Sequence, residues 1–261
     1  MRLSVAEAAC GGGPGMADER NPPIRIATCG NGDDCPALRR GANGGFEITG
    51  PLLERPDLPD GEAAVWVPPE LLPELADLVI EDLGGWIGAR HKQDLLRVQT
   101  LARYTVASDG EDFERYIQGE AEPAAPQKQA WLDRLTADAR SGRIRRNVHI
   151  VEQPLSDYLC YQFEWCYLFN VAAGQEIRVL DISSQRAAAH LAACGDFTVV
   201  EGVDVARNQY APDGTFLGAV QAPADTAAAL AAVAEAAWAM AVPFTAWWRD
   251  HPQFHRATRA A

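Results

Sequence analysis

The stretch from Arg143 to Leu180 constrains the fold most, because an apolar strand, an aromatic helix and a second apolar strand follow one another with almost no filler. Ile144, Val148, Ile150 and Val151 form a β-branched run closed by Pro154. Ile177, Val179 and Leu180 form another after the turn residues Ala173 and Gly174. Between them Leu155, Leu159, Phe163 and Cys166 recur every third or fourth residue, the spacing of one buried helix face, with Tyr158, Trp165, Tyr167 and Phe169 widening the stripe. A unit of this length predicts a parallel strand pair with a right-handed crossover. It argues a fold and no reaction.

Around it the chain alternates strand-like and helix-like runs. Leu95 to Val106 reads as a strand with Leu96, Val98 and Thr100 on one face and Leu95, Arg97, Gln99 and Leu101 on the other. Trp131, Leu132, Leu135 and Ala139 have helical spacing. Phe197 to Val200 is a strand, and the runs 204–210 and 215–220 flank Ala211-Pro212-Asp213-Gly214 as a hairpin. A long Ala-rich helix follows from Pro223, packing Leu230, Val233, Ala237 and Met240 on the sheet until Pro243. The expected class is therefore mixed α/β over residues 84–250, a strand-helix-strand core with an antiparallel hairpin and a C-terminal helix, followed by a tail over 251–261.

Ahead of this domain, residues 1–21 are rich in Ala and Gly, lack periodicity and are expected to be disordered. A start at Met16 is an alternative reading of this end, which recovery of Arg2 by N-terminal sequencing would refute. Residues 22–83 predict a small β-rich module with strands around Phe46 to Leu53 and Ala64 to Val67, and a helix from Pro68 through Leu78. Its sharpest feature is Cys29-Gly-Asn-Gly-Asp-Asp-Cys35. Zinc needs four ligands, and no second Cys or His pair follows before His91, so these two thiols are weak metal candidates, read first as reduced cysteines or a short-loop disulfide.

The formal net charge of -13 opposes binding to phosphate backbones and anionic lipid. No apolar run is long enough for a membrane span, and the N-terminus lacks the apolar segment of a signal peptide, so the expected compartment is the cytoplasm. Six cysteines in 261 residues are too scattered for a disulfide framework, and mostly reduced thiols are expected. No cofactor motif is found in the sequence.

Glu152, Ser156 and Asp157 follow the first strand of the central unit, and with Arg178 and Asp196 they form a candidate ligand pocket. The competing reading spends them on structure: Ser156 and Asp157 as helix caps, Glu152 beside a basic neighbour, Arg178 paired with Asp181. Arg140, Arg143, Arg145, Arg146 and His149 form a basic cluster read as a solvated helix end or a phosphate contact, with His149 as a core or surface histidine. Cys160, Cys166 and Cys194 read as small buried hydrophobes. Trp247, Trp248 and Phe254 either cover the domain's own core or form exposed anchors for a protein partner.

Four segments carry a resemblance: Ile150 to Tyr158 with its Glu-Gln-Pro-Leu-Ser-Asp-Tyr, Asn170 to Arg178 with its Ala-Gly-Gln-Glu, Asp196-Phe197, and the Ala-Trp helix at Ala237 to Phe244. In this order they resemble an actinobacterial family of uncharacterised proteins over about Leu95 to Arg249. Cys160 and Gln162 stand where that family usually has Arg and Glu. The small Cys-containing module is similar to proteins of the same gene neighbourhoods. The resemblance implies a non-enzymatic accessory role beside a helix-turn-helix regulator of development or specialised metabolism, acting through contact with that DNA-binding protein. The alternative is a small-ligand binder, or a hydrolase resembling half of a phospholipase D-like fold, although that family's His, Lys and Asp motif is missing here.

Overall fold

The computed structural model describes residues 79–259, apart from 81, 107, 108, 110, 122, 124 and 125, together with the backbone of five short strands before them. The chain divides into two compact units, Met1–Val79 and Ile80–Ala261. In the first, β1 (Arg25–Ile26), β2 (Ala37–Arg40) and β3 (Phe46–Thr49) form an antiparallel sheet in that order, and β4 (Leu52–Leu53) pairs antiparallel with β5 (Ala64–Val65). The Cys29 to Cys35 turn, residues 1–21 and the helix expected after Pro68 lie outside the described residues.

The second unit is built on a mixed eight-stranded sheet. After the edge strand β6 (Val79–Ile80) and helix α1 (Leu83–Arg90) comes β7 (Asp94–Gln99), then α2 (Asp112–Ile117) and α3 (Pro126–Arg140) lead to β8 (Ile144–Val151). Helix α4 runs from Asp157–Gln162 through a π-helical turn at Phe163–Tyr167 into Leu168–Ala172, and delivers the chain to β9 (Glu176–Asp181). The short α5 (Ala189–Ala192) precedes β10 (Phe197–Val200) and the hairpin β11 (Asp204–Tyr210) and β12 (Phe216–Gln221). Helix α6 (Ala224–Met240), the edge strand β13 (Val242–Pro243), α7 (Phe244–Asp250) and α8 (Arg256–Arg259) complete it. The strand order is β13-β9-β8-β7-β10-β11-β12-β6. The strands β7, β8 and β9 are mutually parallel, as the strand-helix-strand pattern predicts, and β10 to β12 and β13 add antiparallel edges.

The two faces of this sheet differ in chemistry. On one, Leu96, Val98, Val148, Ile150 and Val199 meet α6, which buries Leu230, Val233, Ala234 and Ala237 along one stripe. Met240, expected on that stripe, is 40% exposed, because the helix ends there and Ala241 turns into the buried place. The opposite face lies under α3 and α4.

Ser156 caps α4, its Oγ accepting from Leu159 N at 3.1 Å. The π turn then lengthens the helical repeat, so Tyr167 stacks on Phe163 at 5.1 Å while Cys166, expected in the buried stripe, turns to a half-buried position. Phe163 is the hub of an aromatic core, with Phe244 at 5.3 Å and both Trp247 and Trp248 at 5.8 Å. Trp247, Trp248 and Phe254 are 4, 6 and 8% exposed. The reading of these three rings as exposed partner anchors is therefore corrected: α7 is itself amphipathic, and its aromatic side closes the core.

The hairpin reaches the site through a glycine. Gly214 has a φ of 85°, and a Cβ there would meet Arg103 O at 2.6 Å and Tyr104 Cα at 3.0 Å. Its carbonyl accepts from Thr105 N at 2.9 Å, so the segment leaving β7 is pressed against the β11–β12 turn.

Candidate functional site

Between the sheet and its α3–α4 cover lies a cavity of about 690 Å³. Its floor is the second face of β7, which carries Leu95, Arg97 and Gln99, with Arg145 and Asn147 of β8 and Thr198 of β10. Pairing sets Asn147, Arg97 and Thr198 in one row across three strands, since each is the direct cross-strand partner of the next. The roof is Lys128, Trp131 and Leu132 of α3 and Gln162, Trp165, Cys166 and Phe169 of α4. Tyr104, Tyr158, Tyr210 and Phe216 close one side. A parallel strand pair covered on both faces ordinarily reads as continuous apolar sequence, so this polar row is a departure that packing alone does not require.

The cations of the lining are in different states. Lys128 Nζ pairs with Asp112 at 3.3 Å and donates to Tyr161 OH at 2.7 Å. Arg145 is bonded through Nε to Asp138, which also holds Arg143 at 2.6 Å. Arg134 sits on the exposed side of α3. Arg97, on the central strand, donates from Nη2 to Tyr210 OH at 3.0 Å, and its Nε has no protein acceptor among the described residues. Among the described residues no carboxylate lies within ion-pair distance of it. Burial works against its charge, but the nearby Tyr210, Tyr104 and Asp196 oxygens more than offset this, and the guanidinium stays cationic.

Three amides share this condition. Asn147 Oδ1, Gln162 Oε1 and Gln175 Oε1 are buried without a partner, and all three residues line the same cavity. Each such atom costs about 1–3 kcal/mol if nothing in the cavity meets it. All three residues therefore carry unmet hydrogen-bonding capacity beside the cavity.

Next to the floor, on the same face of β8, sits a fully buried histidine. His149 Nε2 lies 3.2 Å from Leu101 O and Nδ1 lies 2.8 Å from Tyr167 OH. Burial holds its pKa down to about 4, so the ring is neutral, and since a carbonyl can only accept, the proton is on Nε2 and Tyr167 OH donates to Nδ1. The Tyr167 oxygen also accepts from Asn147 Nδ2 at 3.1 Å and lies 2.9 Å from Gln99 Oε1. His149 is thus a core histidine that positions Tyr167 and, through it, Asn147.

This arrangement sets a pH dependence. The folded value lies below the ordinary 6.5, so as pH falls the unfolded chain takes this proton first. The stability it protects is complete above pH 6.5 and is lost between 6.5 and 4, by about 3 kcal/mol at roughly 1.4 kcal/mol per pH unit. Urea unfolding of the wild type and His149→Asn between pH 7 and 4 is expected to show this slope in the wild type alone. Equal slopes would contradict it.

The residues picked from the sequence as a pocket are not brought together, and none lines the cavity. Ser156 caps α4 and donates to Ala102 O. Glu152 is exposed beyond β8, and Asp157 lies in the first turn of α4. Arg178 donates to Trp238 O at 2.9 Å and lies over the Trp238 ring at 4.4 Å. It does not pair with Asp181, because residues three apart on a strand face opposite sides; Asp181 accepts instead from Gln153 and from Ser183 N. Asp196 accepts from Thr100 N and Oγ1, both at 2.8 Å, and from Tyr104 OH at 2.7 Å. Of the basic cluster, Arg140 is a solvated helix end, exposed in the last turn of α3, whereas Arg145 and Arg146 lie in β8, Arg146 bonding Asp94 at 2.9 Å and Glu235 at 2.7 Å. Cys160 and Cys166 are reduced thiols, whereas Cys194, expected as a buried thiol, is disulfide-bonded; burial pushes Cys166 up to about 11, so it is protonated at neutral pH.

Two comparisons bear on identity. A family described as a domain of unknown function (DUF6879) matches residues 81–249, which is the unit that contains the cavity. No curated protein matches the chain.

Proposed function

Because the chain belongs to the DUF6879 family of domains of unknown function, whose name states no reaction, we infer from the cavity itself that the Ile80–Ala261 unit is a small-molecule-binding domain. One observation carries this reading: Arg97, Asn147, Gln162 and Gln175 all line one 690 Å³ cavity, and each carries a buried polar atom without a partner. Convergent polar groups set among aromatic walls are the composition of a ligand pocket, and the volume falls in the range of such sites. A protein that gained nothing from a ligand would be more stable with apolar residues in the Asn147-Arg97-Thr198 row. The reading as an accessory of a DNA-binding regulator is supported by the charge of -13, which suits contact with a basic protein, but its aromatic anchors are core residues. Ligand binding therefore takes precedence, and a regulatory partner would read the occupied state.

The test is a thermal-shift screen of the full chain against a chemically diverse fragment set, followed by tryptophan fluorescence of the hits. A ligand at a hundred times its Kd stabilises by about 2.7 kcal/mol, which the screen resolves. Trp131 and Trp165 line the cavity, so true hits change their emission, and Trp131→Phe reduces that change. A screen in which no fragment at millimolar concentration raises the unfolding midpoint, or in which hits leave the emission unaltered, would refute the reading.

A further inference from the structure

We propose that the cavity selects a small aromatic monocarboxylate, with Arg97 as the anchor of its carboxylate. This rests on the ligand-binding reading and adds the charge, size and shape of the ligand. Among the described residues, Arg97 on the sheet floor and Arg134 on the exposed side of α3 are the lining cations with no carboxylate within ion-pair distance, and of the two Arg97 is the one held inside, with no protein acceptor at its Nε. A guanidinium with unmet donors is shaped for a carboxylate.

The charge count argues against a phosphate. At the floor one uncommitted positive charge, that of Arg97, balances a monoanion, and since the lining also carries the Asp109 carboxylate while Arg134 lies on the exposed side, a dianion would leave a negative charge without a partner. Asp196, the counter-charge acting on Arg97 at longer range, adds to that cost and already has both oxygens bonded to Thr100 and Tyr104. The rest of the ligand follows from the walls. Trp131, Trp165, Phe169 and Tyr158 offer ring faces and edges to a flat apolar body. Gln162 and Gln175 can turn either end of their amides, so they accept from an N–H or O–H on that body or donate to an oxygen.

The experiment is isothermal titration of the full chain with three probes of one shape: phenylacetate, its neutral isostere phenylacetamide, and phenyl phosphate. Phenylacetate is expected to bind about 30-fold or more tightly than the amide, the ratio that loss of a charge-assisted bond implies. Arg97→Gln is expected to remove this preference, and Arg97→Lys to restore part of it, since the ammonium keeps the charge without the fork. The acid and amide comparison uses the wild type, so it stands even if a variant misfolds. Equal affinity for acid and amide would overturn the anchor while leaving the domain a ligand binder. Preference for phenyl phosphate would overturn the monoanion assignment. Failure of all three probes, with hits of other chemistry in the fragment screen, would overturn the proposal alone; failure of both would overturn the ligand-binding reading with it.

Discussion

Replacing Trp247 and Trp248 together by Ala is expected to unfold the Ile80–Ala261 unit. Each removes a buried ring from the cluster around Phe163, and a Trp to Ala change in a core costs about 3–5 kcal/mol. Contacting residues do not add strictly, yet even a reduced sum approaches the roughly 5–15 kcal/mol that a whole domain possesses. The damage spreads through defined neighbours. Trp247 stacks on His251 at 4.0 Å and on Phe254 at 5.9 Å, so the C-terminal segment loses its seat, and Phe163 loses two of the rings that hold the π turn of α4. The check is circular dichroism with urea unfolding. Variants that fold with a near-native midpoint would return these rings to the role of surface anchors.

Asp196→Ala is the second large effect, expected at about 3–5 kcal/mol, with Asp196→Asn retaining most of the stability. The carboxylate ties the end of β7 to the start of β10 by three hydrogen bonds, and its removal leaves Thr100 N, Thr100 Oγ1 and Tyr104 OH without their acceptor. Orphaned buried donors cost about 1–3 kcal/mol each before relaxation. The alanine variant also strips Arg97 of the charge acting on it at longer range. Urea midpoints measure this directly. A loss under about 1 kcal/mol would mean that these bonds are made as easily with water.

These two sites show what the sequence could and could not reveal. Apolar periodicity located the central strand-helix-strand unit, the hairpin and the long Ala-rich helix, because each is encoded by neighbours in the chain. The position of the pocket is encoded by pairing between distant strands. Arg97 and Gln99 on one face of β7 are visible as alternation, and Arg145, Asn147 and His149 alternate in the same way on β8. Alternation alone reads as a wet face. A usable signal was the combination, since parallel neighbours are normally covered on both sides, and polar residues on the shared face of two such strands indicate an enclosed polar site. The candidates Glu152, Ser156 and Asp157 were chosen from the strand end, where open α/β sheets usually bind, whereas here the cavity lies over the face. The π turn, which turns Cys166 aside and brings Tyr167 over Phe163, has no pattern in the sequence that distinguishes it from regular helix.

The central claim is that the polar row under α3 and α4 exists to meet a small acid. A crystal structure of the full chain grown with saturating phenylacetate tests it most directly. The account predicts a carboxylate oxygen within hydrogen-bond distance of Arg97 Nε, the ring against Trp165 and Phe169, and at least one of Asn147, Gln162 and Gln175 bonded to ligand or to a water that the ligand fixes. A cavity holding only water at that concentration, or Arg97 Nε bonded to a protein acceptor with the acid excluded, would contradict it.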